Sequence, residues 1–399
     1  MEAGGTSSSG SGSHGNVTMA KGALAMFLVY MGVVQLFRFR RIRRLRRSLD
    51  AKKDASAVFR QMASLEFPFM VTKSLEFALF ATYGVPSISK LLHKTGEFEK
   101  RVGKRYDGTD LILREYYEND TSNTRVETAM SRMNAIHGIY SKEISNADML
   151  YTLSLFITSP KTWIDRFGWR RCTDFEKEAL LIHFSEMGRR MGIKGIDSWK
   201  TWEDVDAFQA AYAAEHLRFA TSNVAIAGVT VDLFVSLLPK PLQAAARWPV
   251  YALIDPPLLK AFGFPQAPIV LQWFMKATLL ARAMTIRFLM LPRPDFLFVR
   301  RTALSDDSTA GSADVLLKPR FCPFSDAQLG CLVHKDGYKI ADLGPDACPA
   351  GKLFDGMPSY TGSGGGGSGN VVLKPDGTPL VLRTHFSASD GGAESKKSA

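Results

Sequence analysis

Sixteen residues without a charge, GALAMFLVYMGVVQLF (22–37), run straight into RFRRIRRLRR (38–47), which carries seven arginines. No soluble core accommodates that junction easily, because buried apolar surface and a dense cationic block need opposite surroundings. A bilayer edge supplies both. The run is slightly shorter than the roughly 20 residues of a full crossing, and the long stems of Lys21 and Arg38 extend it by reaching for the headgroups. A signal peptide carries its positive charge before the apolar run, whereas here it follows. The expectation is a transmembrane anchor over 21–38, a basic juxtamembrane segment over 39–57, and a single crossing with the catalytic body in the cytosol. The net charge of +11 is concentrated in that block, which suits anionic lipids. Nucleic-acid recognition modules leave signatures that are missing here, so no nucleic-acid partner is expected.

Beyond the block the periodicity is helical from 58 to 300, and period-2 runs are scarce. TDFE (173–176) and TWED (201–204) have the spacing of a capping box, and SNAD (145–148) is a looser form of it. Breaks fall at YGVPS (83–87), KRYDGTD (104–110), SPKT (159–162), MGIKGID (191–197) and LIDPP (253–257). The apolar segments 224–239 and 267–292 read as core helices, the second interrupted by Lys276, Arg282 and Arg287 and able to rest one face on a membrane. The chain is therefore read as all-α, a single large helical bundle over 58–300 with an N-terminal transmembrane helix. An irregular extension follows (301–357), and the ends, 1–20 and 358–399, are Gly/Ser-rich and expected to be disordered. The four cysteines form no CxxC pair and read as free thiols.

The chemistry candidates are histidines. Val126, Met130, Met133, His137 and Tyr140 fall in one narrow helical stripe, so His137 is either a core imidazole bonded to a carbonyl or a metal ligand. His183 in EALLIHFSEM and His216 after AYAAE occupy helices too and are the second and third choices. Arg132, five places before His137, pairs with an acid such as Asp148 or Glu115, or anchors an acidic group of a cofactor. No HExxH, P-loop, strand-linked GxGxxG or GxSxG is present.

Four blocks in order, KSLEFALFATYGVPSISKLLHKTGEF (73–98), RMNAIHGIYSKEISNADMLYTLSLF (132–156), WRRCTDFEKEAL (169–180) and MGRRMGI (187–193), resemble the ER-bound oxygenase and rubber oxygenase (latex clearing protein) family. The likeness runs from about residue 60 to 295 and is closest to the fungal membrane-anchored branch of the mycophenolic-acid pathway. The resemblance implies a helical fold enclosing haem b, with O2 as co-substrate and oxidative cleavage of a C=C bond in an isoprenoid or other lipophilic alkene. It also implies an arginine near the haem, matched by Arg132, and a base on the preceding helix, matched by Glu115. It departs from the rubber oxygenase in two ways. Thr152 stands where many relatives show the proximal histidine, which makes His137 the nearest candidate ligand, with His183 and His216 behind it. Ala135 and Ile136 replace a threonine–lysine feature. An endoplasmic-reticulum location follows from the resemblance and from KKSA at the C-terminus, where Lys396 and Lys397 match a dilysine retrieval signal. Two other readings stand beside the oxygenase: a non-catalytic, membrane-tethered prenyl- or lipid-binding protein, and an oxidoreductase with non-haem iron on two of the three histidines and an acid.

Overall fold

A computed structural model describes residues 11–304, 315–320, 334 and 336–354, with side chains from residue 19 onward. The C-terminal dilysine, Cys322, Cys331, His385 and the 358–399 tail lie outside the described residues, and so does the side chain of His14. Among the described residues the architecture is all-helical, and the only β feature is an antiparallel bridge between Leu317 and Tyr338.

The first helix, α1 (Ser11–Arg38), already includes residues 11–20, which Gly/Ser content had assigned to disorder. After it come α2 (Arg40–Ser48), α3 (Ala55–Gln61), a π turn (Met62–Glu66), α4 (Pro68–Thr82) and α5 (Pro86–Thr95). Gly96, at φ 66°, adopts the left-handed cap that lets the chain turn directly into α6 (Glu97–Glu118). Then come α7 (Thr124–Ile139), α8 (Asn146–Phe167), α9 (Asp174–Arg190), α10 (Trp202–His216) and α11 (Thr221–Val235). The body closes with α12 (Lys240–Tyr251), α13 (Pro256–Phe262) and α14 (Ile269–Met284).

The capping boxes form as read. Thr173 accepts from the Glu176 amide while Glu176 reaches back, Thr201 and Asp204 do the same, and Ser145 caps α8 through the Asp148 amide. The breaks at 83–87, 191–197 and 253–257 also fall between helices. Two breaks do not exist. KRYDGTD lies inside α6, just past a kink at Arg101 (φ −149°, ψ 47°), and SPKT lies inside α8 with Pro160 in the helix. The acids of the first are neutralised from afar, since the Arg301 guanidinium lies between Asp107 and Asp110. Gly108 is small there because Gly344 crosses it: a Cβ would sit 3.2 Å from the Gly344 nitrogen.

The core is built on α3, α4 and α6–α9, with Phe59, Met62, Met70, Leu111, Tyr116, Val126, Met130, Ile157 and Phe184 essentially sealed. α8 and α9 meet where Gly188 removes a side chain, and a Cβ there would strike Leu153 at 2.4 Å. A second cluster around Phe80, Ile226, Val231 and Phe262 joins α11 and α13 to α4.

α11 is a core helix, as the sequence suggested. α14 is not: only Leu279 and Ala283 are buried, while Ile269, Val270, Trp273, Phe274, Leu280 and Met284 are exposed. Two helical stretches, Met19–Ser48 and Ile269–Leu289, are long and apolar enough to cross a membrane, and only 11% of each apolar window is buried. The cations that seemed to interrupt the second lie over aromatic rings, Lys276 over Trp273 and Arg282 over Phe69. A second π turn (Thr285–Leu289) follows α14, and α1 side chains take its carbonyls: Tyr30 Oη donates to Leu289 O (2.8 Å), Gln35 to Arg287 O (2.9 Å), and Arg38 to Ile286 O and Met290 O. The two apolar helices are thus clasped at one end. In the arginine block, Arg41 bridges Glu66 (2.9 Å) and Asp295 (3.0 Å), whereas Arg40, Arg43, Arg46 and Arg47 face solvent.

The C-terminal extension lacks long helices yet is built into the body. Arg301 is sealed inside, the Tyr338 hydroxyl donates to Glu115, and Phe354 N donates to Ser131 O (3.0 Å).

Candidate functional site

α4, α6, α7 and α8 do not fill the space between them. They leave two cavities of about 220 Å³ and about 130 Å³ whose walls share Leu79, Arg105, Thr109, Ile136, His137 and Thr152 among others. The larger one continues past Phe80, Leu91, Phe98 and Phe234, so its wall is mainly apolar. His137 therefore stands at the junction of a two-lobed, greasy chamber.

The His137 ring is half-buried; among the described residues its buried Nδ1 makes no well-formed hydrogen bond, the Met133 carbonyl acts on the ring only weakly, and no hydrogen bond engages Nε2. Burial, then the nearby Arg105 charge, push its pKa down to about 4 against a weaker upward pull from the Met133 carbonyl. The imidazole is neutral at physiological pH, the form that coordinates metal. Thr152, one helix across, donates its hydroxyl to the Asp148 carbonyl (2.9 Å), which occupies it within α8. Asp148 accepts from Ser87 (2.8 Å) and Tyr212 (2.6 Å) at the chamber wall. Glu76 accepts from Tyr106 (2.7 Å) and pairs with Lys73 (2.8 Å). Burial and Glu76 hold the Tyr106 phenol well above its usual range, so it stays protonated.

The remaining sequence candidates lie elsewhere. His183 is sealed among rings, stacked on Phe59 (4.7 Å between centroids) and near Tyr116 (4.8 Å), with Nδ1 bonded to Ser56 Oγ (2.9 Å). Burial pushes its pKa to about 3. It lines neither cavity. His216 ends α10, stacks on Tyr212 (4.2 Å) and is also off the chamber. Arg132 pairs with neither Asp148 nor Glu115. Its guanidinium donates to the carbonyls of Leu343 (2.7 Å), Pro349 (2.8 Å), Lys352 (2.8 Å) and Cys348 (3.1 Å), fastening the extension to α7. Glu115 is sealed too, paired with Arg125 (2.6 Å). Of the five candidates, only His137 lines the chamber. No cluster of three His, Cys, Asp or Glu able to hold a metal occurs among the described residues, and the three histidines do not converge as the non-haem reading requires.

Arg105 escaped the sequence reading because its segment looked like a break. Because α6 is helical beyond the kink at Arg101, Arg105, Thr109 and Leu113 follow the i, i+4, i+8 spacing of one helix face, and all three line both lobes.

Residues 124–285 match the family model described as "ER-bound oxygenase mpaB/B'/Rubber oxygenase, catalytic domain". The "ER-bound oxygenase mpaB" of Penicillium roqueforti is 32% identical over 263 residues, covering 60% of this chain and 88% of that protein. The chain belongs to the ER-bound oxygenase family. The "ER-bound oxygenase mpaB'" of Penicillium brevicompactum is 33% identical over 269 residues, 64% of each protein. The mpaB of the same species is 38% identical over 179 residues, 41% of this chain and 46% of that one. The match thus spans most of the Penicillium roqueforti protein, just under two thirds of mpaB' and under half of the Penicillium brevicompactum mpaB. The matched region contains α7 to α14 and with them His137, whereas Arg105 lies upstream of the family model's boundary.

Proposed function

We propose that this ER-bound oxygenase family member is a membrane-anchored, haem b-dependent oxygenase that uses O2 to cleave a C=C bond in an isoprenoid-like or other lipophilic alkene. It would do so at the endoplasmic reticulum, with its catalytic body in the cytosol. The observation that carries the reading is His137: a neutral imidazole with no well-formed hydrogen bond among the described residues, at the junction of two mainly apolar cavities. A buried nitrogen left unpaired costs stability unless something binds there; His183 Nε2 is also unpaired but is packed on Phe59 away from both cavities, whereas the His137 imidazole faces mainly apolar walls where it would hold iron. His137 is the residue that would hold iron, and the bound haem would supply O2 activation.

The chain's own residues do the rest. The apolar walls of α4, α6 and α11 align an alkenyl chain and exclude water. Tyr106, kept protonated beside Glu76, holds a proton at the wall. Thr152, its hydroxyl occupied within α8, leaves ligation to His137. The exposed arginines of α2 suit an anionic cytosolic leaflet, next to an anchor that puts lipid-phase substrates within reach.

Purified full-length protein in detergent tests this by its visible spectrum and the pyridine haemochrome assay. The expected result is a Soret band in the wild type that is lost in His137→Ala and kept in His183→Phe and His216→Ala. Iron without a Soret band would refute it. Thr152 at the family's histidine position favours a second reading, a tethered prenyl- or lipid-binding protein. A colourless, iron-free protein that still binds a prenyl alcohol would establish that one instead.

A further inference from the structure

Among the described residues, Arg105 is the arginine of the chamber wall, and its guanidinium has no ion pair. Among the described residues the buried arginines are occupied: Arg114 by Asp110 and Glu118, Arg125 by Glu115, Arg170 by Glu66 and Glu176, Arg190 by Glu186, Arg301 by Asp107 and Asp110, and Arg38 and Arg132 by carbonyls. Arg105 lines both lobes beside His137, and no hydrogen bond or ion pair from its guanidinium occurs among the described residues. It lies over the face of Phe98, 5.9 Å from ring centre to guanidinium carbon. Of the five carboxylates on the wall, four are already committed, Glu76 to Lys73 and Tyr106, Asp110 to Arg114 and Arg301, Glu143 to Lys94, Asp148 to Ser87 and Tyr212, and the fifth, Glu97, makes no ion pair with Arg105. Glu97 contributes a field at Arg105 without contact, and burial lowers the guanidinium's pKa. A guanidinium inside an apolar chamber is costly unless an anion meets it.

We propose that Arg105 is a carboxylate-binding site of the chamber, which takes a lipophilic acid whose head meets the guanidinium and whose chain fills the apolar lobes. The planar fork of arginine matches a carboxylate bidentately. This deepens the reading of the chamber as a lipophilic-ligand site by giving the ligand an acidic head. Two molecules offer that chemistry, an acidic substrate and a porphyrin with its propionates, and they are separable.

The test uses full-length protein in a nonionic detergent. Dodecanoate and dodecan-1-ol, saturated so that no alkene chemistry intervenes, are titrated by equilibrium dialysis. Haemin and its dimethyl ester are titrated by absorbance. The expected result is that wild type prefers dodecanoate over the alcohol by at least about tenfold. Arg105→Gln abolishes that preference, Arg105→Lys keeps part of it, and haemin binding is unchanged. If Arg105→Gln instead lowers haemin affinity to that of the ester, with no acid preference in the wild type, the site stands and its carboxylate is a propionate. The proposal is overturned if wild type distinguishes neither pair, or if Arg105→Gln leaves both preferences intact. Thermal unfolding by circular dichroism checks that the variants fold, and Arg105→Lys carries the comparison should the glutamine variant not. The dodecanoate arm requires no haem, so it stands or falls separately from the oxygenase reading.

Discussion

His183 offers a sharp test of which histidines belong to the core, because its environment fixes both a sign and a size. The ring is buried and neutral, with a pKa of about 3 against 6.5 in the unfolded chain. Between those values only the unfolded state takes up the proton, so stability falls as pH falls. From pH 7 to pH 4 the loss attributable to this one group is about 3 kcal/mol. Replacing it by phenylalanine preserves the stacking on Phe59 and Tyr116 and removes the titration. It also removes the bond to Ser56 Oγ, at about 1 kcal/mol. His183→Phe should therefore be less stable than wild type at pH 7 by about 1 kcal/mol and more stable at pH 4 by about 2 kcal/mol, with the curves crossing between. Urea unfolding of the detergent-solubilised chain at pH 7, 5.5 and 4, followed by circular dichroism, measures this. His137, with its pKa also lowered, acts in the same direction in both proteins and cancels in the comparison. Parallel curves with no crossing would show that the His183 ring takes protons in the folded state, and the sealed-core account of it would be wrong.

Two further outcomes follow from buried contacts and exposed faces. Arg132→Met removes the guanidinium that fastens four carbonyls between Leu343 and Lys352. It should destabilise by about 2–4 kcal/mol and speed limited proteolysis of the extension, while leaving any Soret band in place. Trp273→Cys, on the exposed face of α14, should label slowly above the wild-type background with a membrane-impermeant maleimide in intact microsomes and quickly after detergent. Equal rates would place α14 outside the bilayer.

Local signals in this chain were legible and distant ones were not. Ser145, Thr173 and Thr201 cap helices through partners three residues away, so a short window contains the whole interaction. The stripe through Val126, Met130 and Met133 likewise placed His137 on an inward face. KRYDGTD failed because Asp107, Gly108 and Asp110 favour a turn locally, while the partner that makes them helical, Arg301, is 191 positions beyond Asp110. SPKT failed for a related reason: α8 packs along α4 and tolerates Pro160 in its interior, so tertiary contact overrides the local cost. α14 was read as core because its charges divide the apolar run, and the sequence does not reveal that Trp273 and Phe69 cover two of them.

Glu115 and Arg132 drew attention through the resemblance, which matches them to a base and to an arginine near the haem, and a buried charged side chain serves catalysis and architecture alike. What separates the two classes is the identity of the partner. Glu115 meets Arg125 and Tyr338, Arg132 meets main-chain carbonyls, and Asp107 and Asp110 meet Arg301. Each is closed by protein, and together they fix α6 against α7 and the extension against both. Breaking one leaves a buried charge uncompensated, so such pairs specify register even where they add little net stability. The register they hold sets His137 and Arg105 on facing walls of one chamber. Among the described residues, those two are the polar groups that line both lobes without a well-formed hydrogen bond or ion pair from the imidazole or the guanidinium. The proposals that each receives a ligand are read by separate measurements, the acid preference for Arg105 and the haemochrome for His137.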